Sequence, residues 1–187
     1  MIHIVGLGGI GFWLTVGLAR SVPHDNLTGW DHDTLSGGNG ALRLPYAPHT
    51  TSKVDLLRGF LLVAMGQPNV PLLVPHRFTH YRARGLHAGD LVIDCTDMAS
   101  RSRHTLWTYV QKQRAKMLRV SYDGRASTVV ASTGLPLIAP VEGGYAEMPS
   151  LALSMAAGGI GAELVRRYIA KPITHFEFAI SLQEVIP

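Results

Sequence analysis

Ile2-His3-Ile4-Val5-Gly6-Leu7-Gly8-Gly9-Ile10-Gly11 opens the chain, an apolar run passing straight into a glycine-rich turn. Trp13, Leu14, Val16 and Leu18 then recur at helical spacing. Strand, tight turn and helix in that order predict the start of a βαβ unit whose loop seats a phosphate group. Gly6 suits the turn, Gly8 puts no Cβ between backbone and ligand, and Gly11 lets the helix pack against the strand. Gly6, Gly8, Gly9 and Gly11 are therefore the candidate ligand-binding positions of the loop. N–H groups at the start of the helix would face the anion, where the helix dipole favours negative charge. A tight structural turn without a ligand is the alternative. The position of the loop, directly after the first strand, favours the nucleotide reading.

A second apolar run, Leu27 to Trp30, ends in Asp31-His32-Asp33. Asp31 stands 20 residues after Gly11, the interval at which an acidic residue can accept hydrogen bonds from a ribose. A nicotinamide dinucleotide and an adenine mononucleotide both fit that spacing, and an Asp closing a local turn is the third possibility. Ser36-Gly37-Gly38-Asn39-Gly40 reads as a tightly turned loop, followed by Arg43. Arg43 would offer a planar fork to phosphate oxygens. Lys53 begins a helical segment, where the dipole does not favour a cation, so a ligand contact is one reading and a solvated charge the other.

Farther along, Asp90-Leu91-Val92-Ile93-Asp94-Cys95-Thr96-Asp97 predicts a strand buried on both faces of a parallel sheet. Ligands of such sheets bind beyond the carboxyl ends of the strands, which brings Asp97 to the same crevice as Gly8 and Asp31. A carboxylate there can hold Mg²⁺ against phosphates. Cys95 reads as a small buried hydrophobe. A third strand is expected at Val70 to Val74 and a fifth at Lys116 to Tyr122. Further strands are expected at Arg125 to Ser132 and Phe176 to Leu182, with a long glycine-containing helix from Ser150 to Ile169 between them. Arg82 to Gly89 reads as a polar, exposed connection. His76 and His80 lack a carboxylate or thiol partner nearby and are read as surface or pocket histidines, not metal ligands.

The chain of 187 residues is read as one domain, 1–187, with 47% hydrophobic and 16% charged residues. No apolar run approaches the ~18 residues that span a bilayer. No signal-peptide pattern occurs, and the single cysteine excludes an internal disulfide and a multi-cysteine zinc site. A cytoplasmic setting is expected, without membrane. The net charge of +4 is mild and the basic residues are dispersed apart from Arg101-Ser102-Arg103, Arg114-Ala115-Lys116 and Arg166-Arg167, so no nucleic-acid partner is expected. The fold class is α/β: a Rossmann-like, doubly wound, mainly parallel sheet with helices on both faces and antiparallel strands toward the C-terminus.

In their order, Gly6 to Gly11, Asp31 to Asn39, Arg43, Lys53, Asp90 to Asp97 with Arg101, and the helix around Gly158 resemble the ThiF/MoeB and ubiquitin-activating-enzyme adenylation family. The resemblance covers most of the chain. It implies that the glycine loop seats the adenine nucleotide of ATP, with Asp31 on the ribose and Asp33 beside it. It further implies that Asn39, Arg43 and Lys53 hold the phosphates and Asp97 binds Mg²⁺, with Arg43, Lys53 and Asp97 as the catalytic set. The implied reaction is attack of the C-terminal carboxylate of a small ubiquitin-like or sulfur-carrier protein, or of a peptide, on the α-phosphate of ATP. The family pattern also implies a homodimer or heterodimer. Departures are specific. Asn39 and Arg43 are four apart instead of three, Met98 stands where the family has an Asn after its Mg²⁺-binding Asp, and, with the first strand at residue 2, the family's N-terminal arm is not expected. No cysteine follows Cys95, so no thioester step is expected. A non-catalytic subunit that binds nucleotide or a partner is the first rival reading, and an NAD-dependent oxidoreductase the second.

Overall fold

The computed structural model describes residues 1–35, 50–97, 100–122, 128–132, 151–171 and 177–181. Strand β1 (Ile2–Val5) is buried at all four positions, as expected for a strand with neighbours on both sides and helices on both faces. Helix α1 (Gly9–Leu18) leads from it to β2 (Leu27–Trp30). Helix α2 (Lys53–Gly59) runs on as a π-helical turn, Phe60–Ala64, before β3 (Leu72–Val74). Then follow α3 (His80–Ala83), β4 (Leu91–Asp94), α4 (Ser100–Lys112) and β5 (Lys116–Tyr122). The described elements end with β6 (Thr128–Ser132), α5 (Leu151–Ala170) and β7 (Glu177–Ser181).

The seven strands form one sheet in the order β3-β2-β1-β4-β5-β6-β7. The first five are parallel, and β6 and β7 join antiparallel. β1 is therefore the hinge of the topology. It pairs Ile2 with both Leu27 and Leu91, and Val5 with both Trp30 and Asp94. The chain winds outward from β1 to β3, returns, and winds the other way through β4. Between β1 and β4 lies the switch point, where the loops leaving two adjacent strands diverge and open a crevice.

Burial divides by face. Ile2, Ile4, Leu91 and Ile93 pack with α1, α2 and α5, whereas Val5 and Val92 pack with Phe78, Ala83, Leu106 and Val110 of the other side. Alternation along each strand puts successive residues into opposite cores. Fully burying a Leu, Ile or Phe contributes roughly 1.5–3 kcal/mol, so both cores stabilise the sheet. His3 points into the second core, where its Nδ1 accepts a hydrogen bond from Trp30 Nε1 at 3.3 Å. Burial pulls the His3 pKa below its ordinary value against the pull of Asp90, keeping the imidazole neutral.

Three expectations shift. β3 omits Val70 and Pro71, since proline has no N–H to give a ladder. The segment from Arg82 to Gly89 is not wholly exposed: it holds the end of α3, and Ala83 and Leu86 are buried. The strand expected at Arg125 is described only from Thr128. Helix α5 follows expectation. A Cβ on Gly158 would lie 2.4 Å from Trp13 Cβ and 2.9 Å from the Ile10 carbonyl oxygen, so α1 and α5 pack nearly backbone to backbone. Among the described residues, no helix is long and apolar enough to cross a membrane.

Gly158 and its neighbour offer a paired test. Gly158→Ala should lower stability by about 2–3 kcal/mol through overpacking against α1. Gly159, with open space where its Cβ would be, should gain roughly 0.5–1 kcal/mol on Gly159→Ala. Urea unfolding of the two variants measures the opposite signs.

Candidate nucleotide site at the switch point

Gly6 has φ +87°, a backbone conformation L-residues rarely adopt. A Cβ there would also lie 2.8 Å from Thr96 Cγ2, so the loop after β1 touches the loop after β4 across the switch point. A Cβ on Gly11 would fall 1.8 Å from the Gly6 carbonyl oxygen, which makes glycine obligatory. Gly8 is the N-cap of α1 and Phe12 N–H makes the first bond back to it, at 2.9 Å. The N–H groups of Gly9, Ile10 and Gly11 therefore have no partner within the helix. No side chain caps this end, no acidic residue occupies its first turn, and nothing lies within 4 Å of where a Gly8 Cβ would be. Unsatisfied donors beside open space suit a phosphate.

Asp31 is buried at the end of β2. Its Oδ2 accepts from Leu7 N–H at 2.7 Å and its Oδ1 from Asp33 N–H at 2.9 Å. Lys53 is buried too. Its Nζ lies 2.9 Å from Asp33 Oδ2 and 4.0 Å from Asp31 Oδ2, and its N–H donates to the Asp33 carbonyl at 3.1 Å. Burial would raise the Asp33 pKa, but the hydrogen bond and charge of Lys53, helped by His32 and Arg77, lower it overall. Ser52 caps α2 through its Oγ, which accepts from Val54 and Asp55 N–H. Thr34 bridges to Ser52, and Leu35 N–H reaches the Thr51 carbonyl at 2.9 Å, so the chain leaves and re-enters at the edge of the site. Asn39 and Arg43 fall between those two points and lie outside the described residues, as does Met98.

The two carboxylates of Asp94-Cys95-Thr96-Asp97 differ in kind. Asp94 is fully buried: Oδ2 accepts from Arg103 Nε at 2.7 Å, and Oδ1 accepts from Thr96 N–H at 2.9 Å and Thr96 Oγ1 at 2.5 Å. Asp97 is exposed and has no hydrogen bond or ion pair among the described residues. An exposed carboxylate at this position could hold a hard cation that also binds phosphate, such as Mg²⁺. Asp31, His32 and Asp33 also cluster, their ligand atoms within 4.8 Å of one another, but Lys53 and Arg77 already share that space. Burial, with the Asp94 charge second, pushes the Cys95 thiol well above its ordinary pKa and keeps it protonated.

Gly6 to Gly11, Asp31, Asp33, Lys53 and the end of β4 thus gather at the carboxyl ends of β1, β2 and β4. Arg103 was not singled out in the sequence, where Arg101 drew attention; Arg101 is exposed. The signal was its spacing. Arg103, Leu106 and Val110 fall at helical intervals on the buried face of α4. A groove of about 520 Å³ lined by Met1, Asp25, Thr28, Arg58 and Leu72 lies at the opposite ends of β1 to β3.

No protein-family model and no curated protein matches the chain in sequence. Solved structures match in fold. PaaA superposes at TM-score 0.66 with 17% identity, over 98% of this chain and 61% of PaaA. E. coli MccB with ATP does so at 0.69 and 13%, and MccB with AMPCPP and MccA at 0.69 and 15%, each over 96% of this chain and 63% of MccB. The chain thus spans just over three-fifths of the structures it matches.

Replacing Arg103 by Met should remove the ion-pair partner of buried Asp94, with the more distant charge of Arg119 remaining, and cost about 3 kcal/mol. Adding Asp94→Asn should recover part of that loss, read by urea unfolding of the single and double variants. This chain has the fold of PaaA and of MccB, a microcin C7 biosynthetic enzyme.

Proposed function

We propose that the chain catalyses ATP-dependent adenylation of the C-terminal carboxylate of a peptide or small protein, of ubiquitin-like or sulfur-carrier type, releasing pyrophosphate. The observation that carries this reading is the convergence at one switch point of an open helix N-terminus, a buried lysine and a carboxylate that is unpaired among the described residues. The same fold holds ATP, AMPCPP and MccA in the MccB structures, which supports a nucleotide and a peptide as ligands here.

The chemistry asks little of acid–base groups. A C-terminal carboxylate is ionised at neutral pH and is already a nucleophile. One of its oxygens bonds to the α-phosphorus as the bond from that phosphorus to the bridging oxygen of pyrophosphate breaks. Negative charge accumulates on the leaving group. The N–H groups at the start of α1 hold phosphate oxygens, and Lys53 turns its ammonium from Asp33 to the charge that develops. Asp31 keeps a free lone pair on each oxygen for ribose hydroxyls, in addition to the N–H bonds it accepts. Asn39 and Arg43 complete the phosphate contacts. Mg²⁺ on Asp97, when bound, neutralises phosphate charge. The rest is alignment of two reactants, the large entropic part of such barriers. With no second cysteine, the acyl-adenylate is released or passed to a separate acceptor.

ATP–pyrophosphate exchange tests this directly. Exchange should depend on an added carboxylate, and Asp97→Ala or Lys53→Ala should lower it by roughly 10²–10³-fold. The engagement of Lys53 by two carboxylates in the described structure favours a second reading, a non-catalytic nucleotide-binding subunit. Saturable ATP binding with no exchange under any carboxylate would establish that reading instead.

A further inference from the structure

The outward face of α3 and α4 takes no part in either core or in the nucleotide site. Between positions 56 and 122 the chain has three carboxylates: Asp90 and Asp94 are buried, and Asp97 stands at the site. Arg82, Arg84, Arg101, Lys112, Arg114 and Lys116 are all exposed over the same interval. None of them forms an ion pair among the described residues. The fold brings two of these cations, distant in sequence, together. Arg84 lies over the Tyr81 ring at 5.1 Å and over the Tyr109 ring at 5.6 Å, and Lys112 lies over Tyr109 at 5.1 Å. Two cations thus converge on one ring, with no carboxylate paired to either among the described residues. Arg114, two residues beyond Lys112, has φ +57°, a left-handed conformation that glycine usually fills. An arginine there costs about 1–2 kcal/mol of backbone strain and adds a further cation to the same end of α4.

We infer that this face binds an acidic polypeptide segment, the part of the substrate that precedes its reacting carboxylate. This inference rests on the adenylation reading for its direction along the surface. α4 begins at Ser100, so Arg101 stands in its first turn at the end that follows Asp97, and Arg101, Thr105, Thr108 and Lys112 fall at intervals of three and four on one side of the helix. Arg101 and Lys112 are therefore about 16 Å apart along α4. An extended peptide covers that span in about five residues. A substrate with its C-terminus beside Asp97 would carry its acidic residues over Lys112, Arg84 and Arg114. Nucleic acid suits the face less well, because bases need open aromatic faces to stack on. Tyr81 is already stacked with His80 at 4.1 Å and Arg84, and Tyr109 with His80 at 5.0 Å, Arg84 and Lys112.

Fluorescence anisotropy of the whole chain with labelled synthetic peptides provides the test. The peptides share a C-terminal Gly-Gly amide, which cannot be adenylated, and differ upstream in a run of Glu or of Gln. The Glu peptide should bind roughly tenfold more tightly, as expected for a few exposed charge pairs acting together. That advantage should vanish at about 1 M salt. It should also vanish in the combined variant Arg84→Gln, Lys112→Gln, Arg114→Gly, whose glycine removes the backbone strain, and persist in Arg58→Gln. Equal binding of the two peptides, or an advantage that survives the combined variant, would overturn the inference. So would an RNA oligomer that binds through these residues when the Glu peptide does not. A Glu peptide that binds through this face while its free-carboxylate form supports no exchange leaves the surface in place and refutes adenylation.

Discussion

Asp31 accepts the Leu7 N–H at 2.7 Å and the Asp33 N–H at 2.9 Å, and these two bonds tie the glycine loop to the end of β2. Leu7 is fully buried, so without Asp31 its N–H would be a donor shut away from water. Charge-assisted bonds of this kind contribute about 1.5–3 kcal/mol. More depends on them than stability. With Leu7 held, Gly6 takes its left-handed turn, its carbonyl sits against Gly11, and Gly8, the N-cap of α1, is left beside open space. The same carboxylate, together with Asp33, gives Lys53 a reason to be buried beside that space.

A second buried carboxylate organises the other lip of the crevice. Asp94, held by Arg103 and Thr96, fixes the turn that leaves β4, and Thr96 in turn rests against Gly6. The short motif Asp94-Cys95-Thr96-Asp97 therefore divides its labour. Its first Asp is structural and fully engaged, its cysteine fills space with an unreactive thiol, and its last Asp is exposed and unpartnered among the described residues. Chemistry that moves charge onto a leaving group is served by such a rigid frame, since the donors need not reorganise as the charge develops.

Much of this was legible in the sequence because periodicity and glycine placement are local signals. The four-residue buried strands, the glycine turn and the long helix around Gly158 each announce themselves within about a dozen residues. The partner of Asp94 was harder. Arg103 and Arg101 look alike in sequence, and only the register of α4 against the sheet decides which of them is buried. Lys53 stood out in the sequence as a candidate ligand contact, but its pairing with Asp33 required the return of the chain at Thr34 and Ser52, a long-range contact that composition does not encode. The basic face escaped for the same reason. Arg84 and Lys112 lie far apart in the chain, and α3 and α4 meet only in the folded molecule. Asn39 and Arg43 lie outside the described residues, so their place at the site rests on the sequence.

Backbone amide NMR shifts during titration of the chain with ATP and Mg²⁺ test the central claim most directly. A nucleotide seated at the switch point should move the resonances of Gly8, Gly9 and Ile10, of Asp31 to Asp33, of Lys53, and of Thr96 and Asp97 as one saturable set. Binding that shifts other regions and leaves the start of α1 unmoved would contradict a nucleotide site at the switch point.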